Sequence, residues 1–248
     1  MRLVNGQCLL RALTRMLIYA NTCVLRRVHI NLRVSLLAAN MVSYWNIRSP
    51  KFAFVKIEPS HWANINTSHT SAVALGYIML EKVADINNVT IQNIKKNTRI
   101  LEQLLRIALY DFWIANEDRT YNNANLLYDL DKEELVSIDY GGIFNTSTYD
   151  YSLTQLTSTD TILYADIMRH LADGLDRSKI LERAEYLKRF LWESTDKCRE
   201  NKNQIIDSIP IGWNIPKQNI LKKVDELFQS HWIDNVWNNF MECLNDNI

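Results

Sequence analysis

Residues 111–144 read DFWIANEDRTYNNANLLYDLDKEELVSIDYGGIF, and the order of polar groups in this stretch decides how the chain is read. Asp118 is followed five residues later by Asn123, and a second acid, Asp139, stands directly before Tyr140 and Gly141. Between them, Asn125-Leu126-Leu127-Tyr128 and Leu135-Val136-Ser137-Ile138 have the composition of strands. The polar run from Asp129 to Glu134 predicts a turn. Pairing the two runs as a hairpin carries the residues before the first strand up to those after the second. Asp118, Asn123 and Asp139 then gather at one end, with oxygen atoms suited to a hard cation. Phosphoryl transfer needs such a set. A carboxylate takes or orients the proton of an attacking hydroxyl, while an amide and a carboxylate hold magnesium against nucleotide phosphates.

The residues upstream predict the support for this loop. Ile100, Leu101, Leu104, Leu105, Ala108, Leu109, Phe112 and Trp113 recur at helical spacing and form one broad apolar face. Such a helix delivers the chain to Asn116 and Asp118 from inside a core. Asp, Asn and Gly are also the residues of ordinary polar turns. The strand-ended Asp-Tyr-Gly at hairpin distance, with the apolar helix in front, favours a catalytic-type site over a plain turn.

Trp113-Ile114-Ala115-Asn116-Glu117-Asp118-Arg119-Thr120, then Asn123-Ala124-Asn125-Leu126-Leu127, then Ile138-Asp139-Tyr140-Gly141, resembles the pattern of the HipA-like kinases. That pattern runs W-x-x-N-x-D-R-x-x-x-N-x-N-L-L and later I-D-x-G. The resemblance implies that Asp118 is the catalytic base and that Asn123 and Asp139 are magnesium ligands. Arg119 and Asn125 match as supports of the loop. Gly76 to Lys82 looks like the family's hinge strand, which implies that the backbone near Glu81 meets the adenine of ATP. The implied cofactors are ATP and Mg2+, and the implied partners are a nucleotide and a protein substrate. The fold implied is α+β and mainly helical, a protein-kinase-like large lobe with a catalytic β-hairpin and a helical carboxyl-terminal half. It occupies residues 49–248 and leaves 1–48 as a basic segment of separate character.

The activity implied is transfer of the ATP γ-phosphoryl group to a protein Ser/Thr hydroxyl. Aminoglycoside phosphotransferases and phosphoinositide kinases share the Asp-x-x-x-x-Asn and Ile-Asp-x-Gly skeleton, so a small-molecule acceptor is an alternative. A second alternative is a truncated or degenerate kinase that serves as a binding module. Its motive is the glycine pattern: Gly6, Gly76, Gly141, Gly142, Gly174 and Gly212 form neither G-x-G-x-x-G nor a Walker loop. Lys56, in the strand-like run Phe52 to Ile57, invites assignment as the ATP lysine. Its closeness to the hinge segment and the alternation of the run suit an edge strand with a solvated lysine better.

The 248-residue chain has 47% hydrophobic and 23% charged residues, values of an ordinary globular protein with one large core or two modest ones. Its formal charge of zero gives no global case for nucleic-acid binding, yet the charge is unevenly placed. Residues 1–57 hold nine basic side chains and no acid, leaving 19 of the 28 basic residues to face all 28 acidic ones. Arginines interrupt the opening too often for the run of roughly eighteen uncharged residues that a membrane span needs. It also lacks the pattern of a secretory signal. A transit peptide or a basic patch for nucleic acid or anionic lipid fits this composition less well than an upstream piece, with Met41 or a neighbour opening the recognisable sequence. Cys8, Cys23, Cys198 and Cys243 have no metal-ligand spacing and read as free thiols of a cytoplasmic protein. His61 and His69 share one loop-like segment and read as lone imidazoles.

Downstream, the polar run from Asn145 to Ser158 takes the place of an activation or substrate-facing loop. Helical patterns follow: Ile162 to Leu171, with Gly174 as a stop; a helix from Ser178 whose end, to Asn203, reads as solvent-facing; and a last region whose Trp232, Val236, Trp237 and Phe240 read as core.

Overall fold

A helix that enters the core apolar on one face and ends buried on every side organises the molecule. The computed structural model describes residues 34–57, 72–87, 90–147, 151–213 and 217–248. The side chain of Lys56 and the residues His61 and His69 lie outside that description, as does the opening up to residue 33. The first helix, α1, covers residues 34–41, and α2 runs Thr98–Ile114. The Asn97 side chain accepts a hydrogen bond from the Ile100 N–H at 2.8 Å and caps α2, worth about 1 kcal/mol. From Ile107 to Ile114 every residue is buried, including Asp111. The helix therefore ends deep in the protein, where its last polar groups need partners.

Trp45, Tyr110 and Trp113 form the centre of this core. The Trp45 ring stacks on Trp113 at 5.1 Å between centroids and meets Tyr110 edge-on at the same distance. Tyr110 donates from its hydroxyl to the Ala38 carbonyl of α1 at 2.8 Å. Val34, Leu36, Leu37, Met41 and Trp45, all from the acid-free opening, are fully buried in the same core. Burying each large side chain contributes roughly 2 kcal/mol.

Two small antiparallel sheets lie beside the helices. Strands β1 (Phe52–Ile57) and β2 (Ala72–Tyr77) pair from Phe52 opposite Tyr77 to Ile57 opposite Ala72. The Trp213 indole N–H donates to the Val73 carbonyl at 2.8 Å and the ring meets Phe54, which docks this pair on the helical part. Residues 78–82 lead to the second sheet, ordered β3 (Val83–Asp85), β4 (Leu126–Asp129), β5 (Glu134–Ser137). The predicted hairpin is this β4–β5 pair, each strand displaced by one residue. Asn125 adopts a left-handed φ of 46° and so cannot begin the strand. The Ser137 N–H donates to the Arg48 carbonyl at 2.8 Å, so residue 48 continues the sheet beyond β5.

The rest is helical: α3 (Ile143–Ser147), α4 (Asp166–Ala172), α5 (Arg177–Glu200), α6 (Lys202–Asp207), α7 (Lys217–Leu227) and α8 (Ser230–Asn247). Ile162–Tyr164 forms a separate 3₁₀ turn rather than the start of α4. The end of α5 departs from the expected solvent-facing stretch. Ser194, Thr195 and Cys198 are buried, and the Cys198 thiol donates to the Met41 carbonyl at 3.7 Å. Trp232, Val236, Trp237 and Phe240 are core residues, as the pattern indicated. Among the described residues no helix is long and apolar enough to cross a membrane.

Candidate functional site

The loop that follows α2 is turned by a left-handed cap. Ala115 adopts φ 48°, and the Asn116 N–H donates back to the Asp111 carbonyl at 2.9 Å. Ala at this position costs about 1 kcal/mol relative to glycine, and the buried ends of the helix hold it there. Asn116 donates its amide to the Asp111 carboxylate at 2.8 Å, and its oxygen accepts from the Asp118 N–H at 3.4 Å. One fully buried amide thus ties the helix end to the backbone of Asp118.

Arg119 is the hub of the loop. It is wholly buried, and its Nε faces the Asp111 carboxylate at 2.7 Å. Its other nitrogens donate to the carbonyls of Ala124, Asn125 and Ile138, the last at 3.1 Å, and the guanidinium lies over the Tyr140 ring at 5.1 Å. Those carbonyls flank both strands of the hairpin, so one cation fastens the loop before β4 to the segment after β5. Burial raises the Asp111 carboxyl to about 6, with Arg119 and the Asn116 amide opposing that rise.

Asp118 sits half-buried above this support. Asn123 donates from Nδ2 to the Asp118 carbonyl at 3.1 Å and to its carboxylate at 3.5 Å. Asn125 makes the same pair of contacts at 3.2 and 3.4 Å. Two amides thereby fix the orientation of one carboxylate. Burial raises the Asp118 carboxyl above the ordinary range, and the negative charge of Asp139 raises it further. Asp139 follows the hairpin's open end, which the Ile138 N–H closes by donating to the Asn125 carbonyl at 3.1 Å. Asp139 is exposed, in a left-handed conformation (φ 55°), with its carboxylate accepting from the Gly141 N–H at 3.2 Å.

Gly142 completes the enclosure. A Cβ at this position would lie 2.6 Å from the Asp118 Cβ and 2.8 Å from its nitrogen, so the glycine lets the two segments touch. The Glu117 N–H also donates to the Gly142 carbonyl at 3.1 Å.

The structure therefore brings Asp118 and Asn123 into direct contact and sets Asp139 within electrostatic reach of Asp118. Glu81 stands apart from this network, exposed in the 78–82 connection. Arg119 and Asn125 take the supporting positions expected of them. Asp111, Asn116, Gly142 and Tyr77 were not foreseen as parts of the site. Burial of its hydroxyl, and secondarily the charge of Asp139, push the Tyr77 phenol above the ordinary value, although its ring remains partly exposed. The doubled glycine at 141–142 and the fixed Asn116 of the motif were the available signals for two of these four. Nothing local in the sequence marked Tyr77.

The donor set is two carboxylates and an amide. Among the described residues no three Asp, Glu, His or Cys side chains cluster as a metal-holding group. Magnesium does not require one, since it commonly takes one or two protein carboxylates and fills its octahedron with waters and phosphate oxygens. With its nitrogen turned to Asp118, Asn123 keeps its oxygen as a free acceptor, so the residues fit such an ion. Residues 29–242 match the family model described as HipA-like kinase. No curated protein matches the chain.

Proposed function

Because this chain belongs to the HipA-like kinase family, we propose that it transfers the γ-phosphoryl group of ATP to a protein Ser/Thr hydroxyl in a magnesium-dependent reaction. The observation that carries the reading is the fixed Asp118 carboxylate, held by Asn123 and Asn125 and raised in pKa by its burial and by Asp139. A carboxyl moved toward neutrality is a better acceptor for the proton of an attacking alcohol. Asp118 orients that hydroxyl and takes its proton. Asn123 and Asp139 hold the metal, which when bound neutralises charge on the phosphates. Arg119 acts through the backbone by keeping both halves of the site in register, and the connection around Glu81 lies against the adenine. Catalysis of this kind is mostly positioning, so the rigidity of the Arg119 support bears directly on rate.

Calorimetry of the folded chain with a non-hydrolysable ATP analogue, with and without magnesium, tests the reading. Magnesium-dependent binding that Asp139→Asn abolishes is expected; no binding to folded protein would overturn it. The second reading, a kinase-fold binding module, draws on the six glycines that never take phosphate-loop spacing. Equal absence of phosphate transfer from labelled ATP in the parent chain and in Asp139→Asn, with analogue binding retained, would favour it.

A further inference from the structure

A cavity opens at the turn end of the hairpin, at the other end of α2 from Asp118. Its volume is about 410 Å3, within the range of small-ligand sites. Its walls are residues 43–48, the first half of α2 and the start of β5. Arg48, Arg99 and Arg106 line it, together with Glu102 and Glu134. Most of these charges are already matched. Glu134 contacts both Arg99 and Arg48, Arg48 also reaches Asp129, and Glu102 is held by Arg183. Arg106 is different. Among the described residues it makes no close ion pair, although the charge of Glu102 acts on it from a distance. It packs its guanidinium 4.7 Å from the Phe190 ring centre and donates from one terminal nitrogen to the Asn46 carbonyl at 3.2 Å. Its Nε is buried without a hydrogen-bond partner.

We propose that this cavity is a binding site for a phosphomonoester dianion, seated on Arg106 and completed by Arg99 and Arg48. Three guanidinium groups on two walls offer the planar, forked donors that phosphate oxygens accept. The stacking on Phe190 holds the Arg106 fork in place beforehand. Glu134 is the internal competitor. It occupies the anion position between Arg99 and Arg48, and a dianion displaces its single charge. Ile47, Ile107 and Leu135 supply apolar wall, and the cavity is far larger than a phosphate group alone. The ligand is therefore phosphate on a carrier, either a phosphorylated side chain of a peptide or a small phosphorylated metabolite such as a sugar phosphate. The cavity lining includes none of the residues around Asp118, so a dianion there does not take the place of the nucleotide. Burial lowers the Arg106 pKa, and the negative charge of Glu102 opposes that shift.

Titration calorimetry on the full chain at low salt, with inorganic phosphate, a phosphoserine peptide and glucose 6-phosphate as separate probes, tests this. One of the two carriers is expected to bind with one-to-one stoichiometry and more tightly than inorganic phosphate; which one does so identifies the source. Arg106→Gln should weaken binding at least tenfold. Glu134→Gln, which removes the competitor, should tighten it severalfold, and this second arm decides the matter if Arg106→Gln does not fold. Binding should persist in the presence of an ATP analogue with magnesium. Absence of binding by both carriers, indifference to Glu134→Gln, or loss of binding on adding the analogue would each overturn the proposal.

Discussion

Replacing Arg119 by methionine should loosen the site and destabilise the fold without abolishing it. The substitution keeps the length and most of the volume of the side chain but removes the charge that faces Asp111 at 2.7 Å. Both groups are almost wholly shielded, at 0% and 2% exposure, so water cannot take over. Breaking a buried pair by deleting one partner costs about 3–5 kcal/mol, because the remaining charge stays buried and uncompensated. The carbonyls of Ala124, Asn125 and Ile138 also lose a charged donor, and their losses overlap with the first term rather than adding to it. Against a typical stability of about 5–15 kcal/mol the change is large. At roughly 2–4 °C per kcal/mol for a chain of this size, the thermal midpoint should fall by about 10 °C.

The pH dependence gives that prediction its sign. The folded-state Asp111 carboxyl stands at about 6, above its ordinary 3.8, so the folded protein binds the proton more tightly than the unfolded chain. The stability this group contributes is greatest below pH 4, is lost as pH rises through 6, and is flat above. Arg119 opposes the rise, so its removal lifts the Asp111 value further and extends the decline to higher pH. The gap between parent and Arg119→Met should therefore widen from pH 6 to pH 8, and Asp111→Asn in the variant should close part of it. Urea unfolding across that range measures both. A loss below about 1 kcal/mol, or a gap that narrows with rising pH, would refute the account of Arg119 as the charge that secures the loop.

Three further outcomes can be checked. Asp139→Asn removes a negative neighbour, so the Asp118 carboxyl should titrate lower than in the parent, read by carbon-13 NMR of the labelled side chain. Gly142→Ala places a methyl against the backbone of Asp118 at 2.8 Å; it should destabilise by about 1–3 kcal/mol and weaken binding of the magnesium–ATP analogue, while Gly174→Ala, which meets nothing within 4 Å but needs φ +81°, should destabilise by about 1 kcal/mol and leave binding alone. Lys223, buried to 1% exposure, donates to the Tyr151 carbonyl and to Glu226, whose carboxylate accepts from the Leu153 N–H; Lys223→Met should speed amide exchange at Leu153 and Thr154 with little change at Arg119.

The parts of the site that could be read in the sequence were those set by local chemistry. The apolar spacing of α2 survives in the structure because it describes a buried surface, and Asp118 and Asn123 meet because the short loop between them turns back on itself. The one-residue strand displacement arises from Asn125, whose left-handed backbone lets its side chain reach Asp118, a use of the residue that strand propensity cannot register. The acid-free opening shows another limit of composition. It suggested a basic segment of separate character; within it Leu36, Leu37, Met41 and Trp45 are buried, with Trp45 stacked on Trp113 of α2 and Cys198 of α5 donating to the Met41 carbonyl. Charge bias describes what faces water and says little about the apolar residues between the arginines.

Arg48 ties that opening to the chemistry. Its carbonyl accepts from Ser137 at the end of β5, and its guanidinium holds Asp129 and Glu134 at the two ends of the turn. The hairpin is thus clamped twice, by Arg48 at its turn and by Arg119 at its open end. A two-stranded hairpin of four-residue strands is marginal alone, so its geometry is borrowed from these two cations and from β3. The consequence is physical rather than taxonomic. The spacing of the candidate catalytic acids is governed by arginines that never touch a reacting atom, and disturbing either clamp should loosen the acids together. One clamp, Arg119, lies within the recognisable motif; the other lies some seventy residues before it, where no motif-based reading of residues 111–144 would have looked.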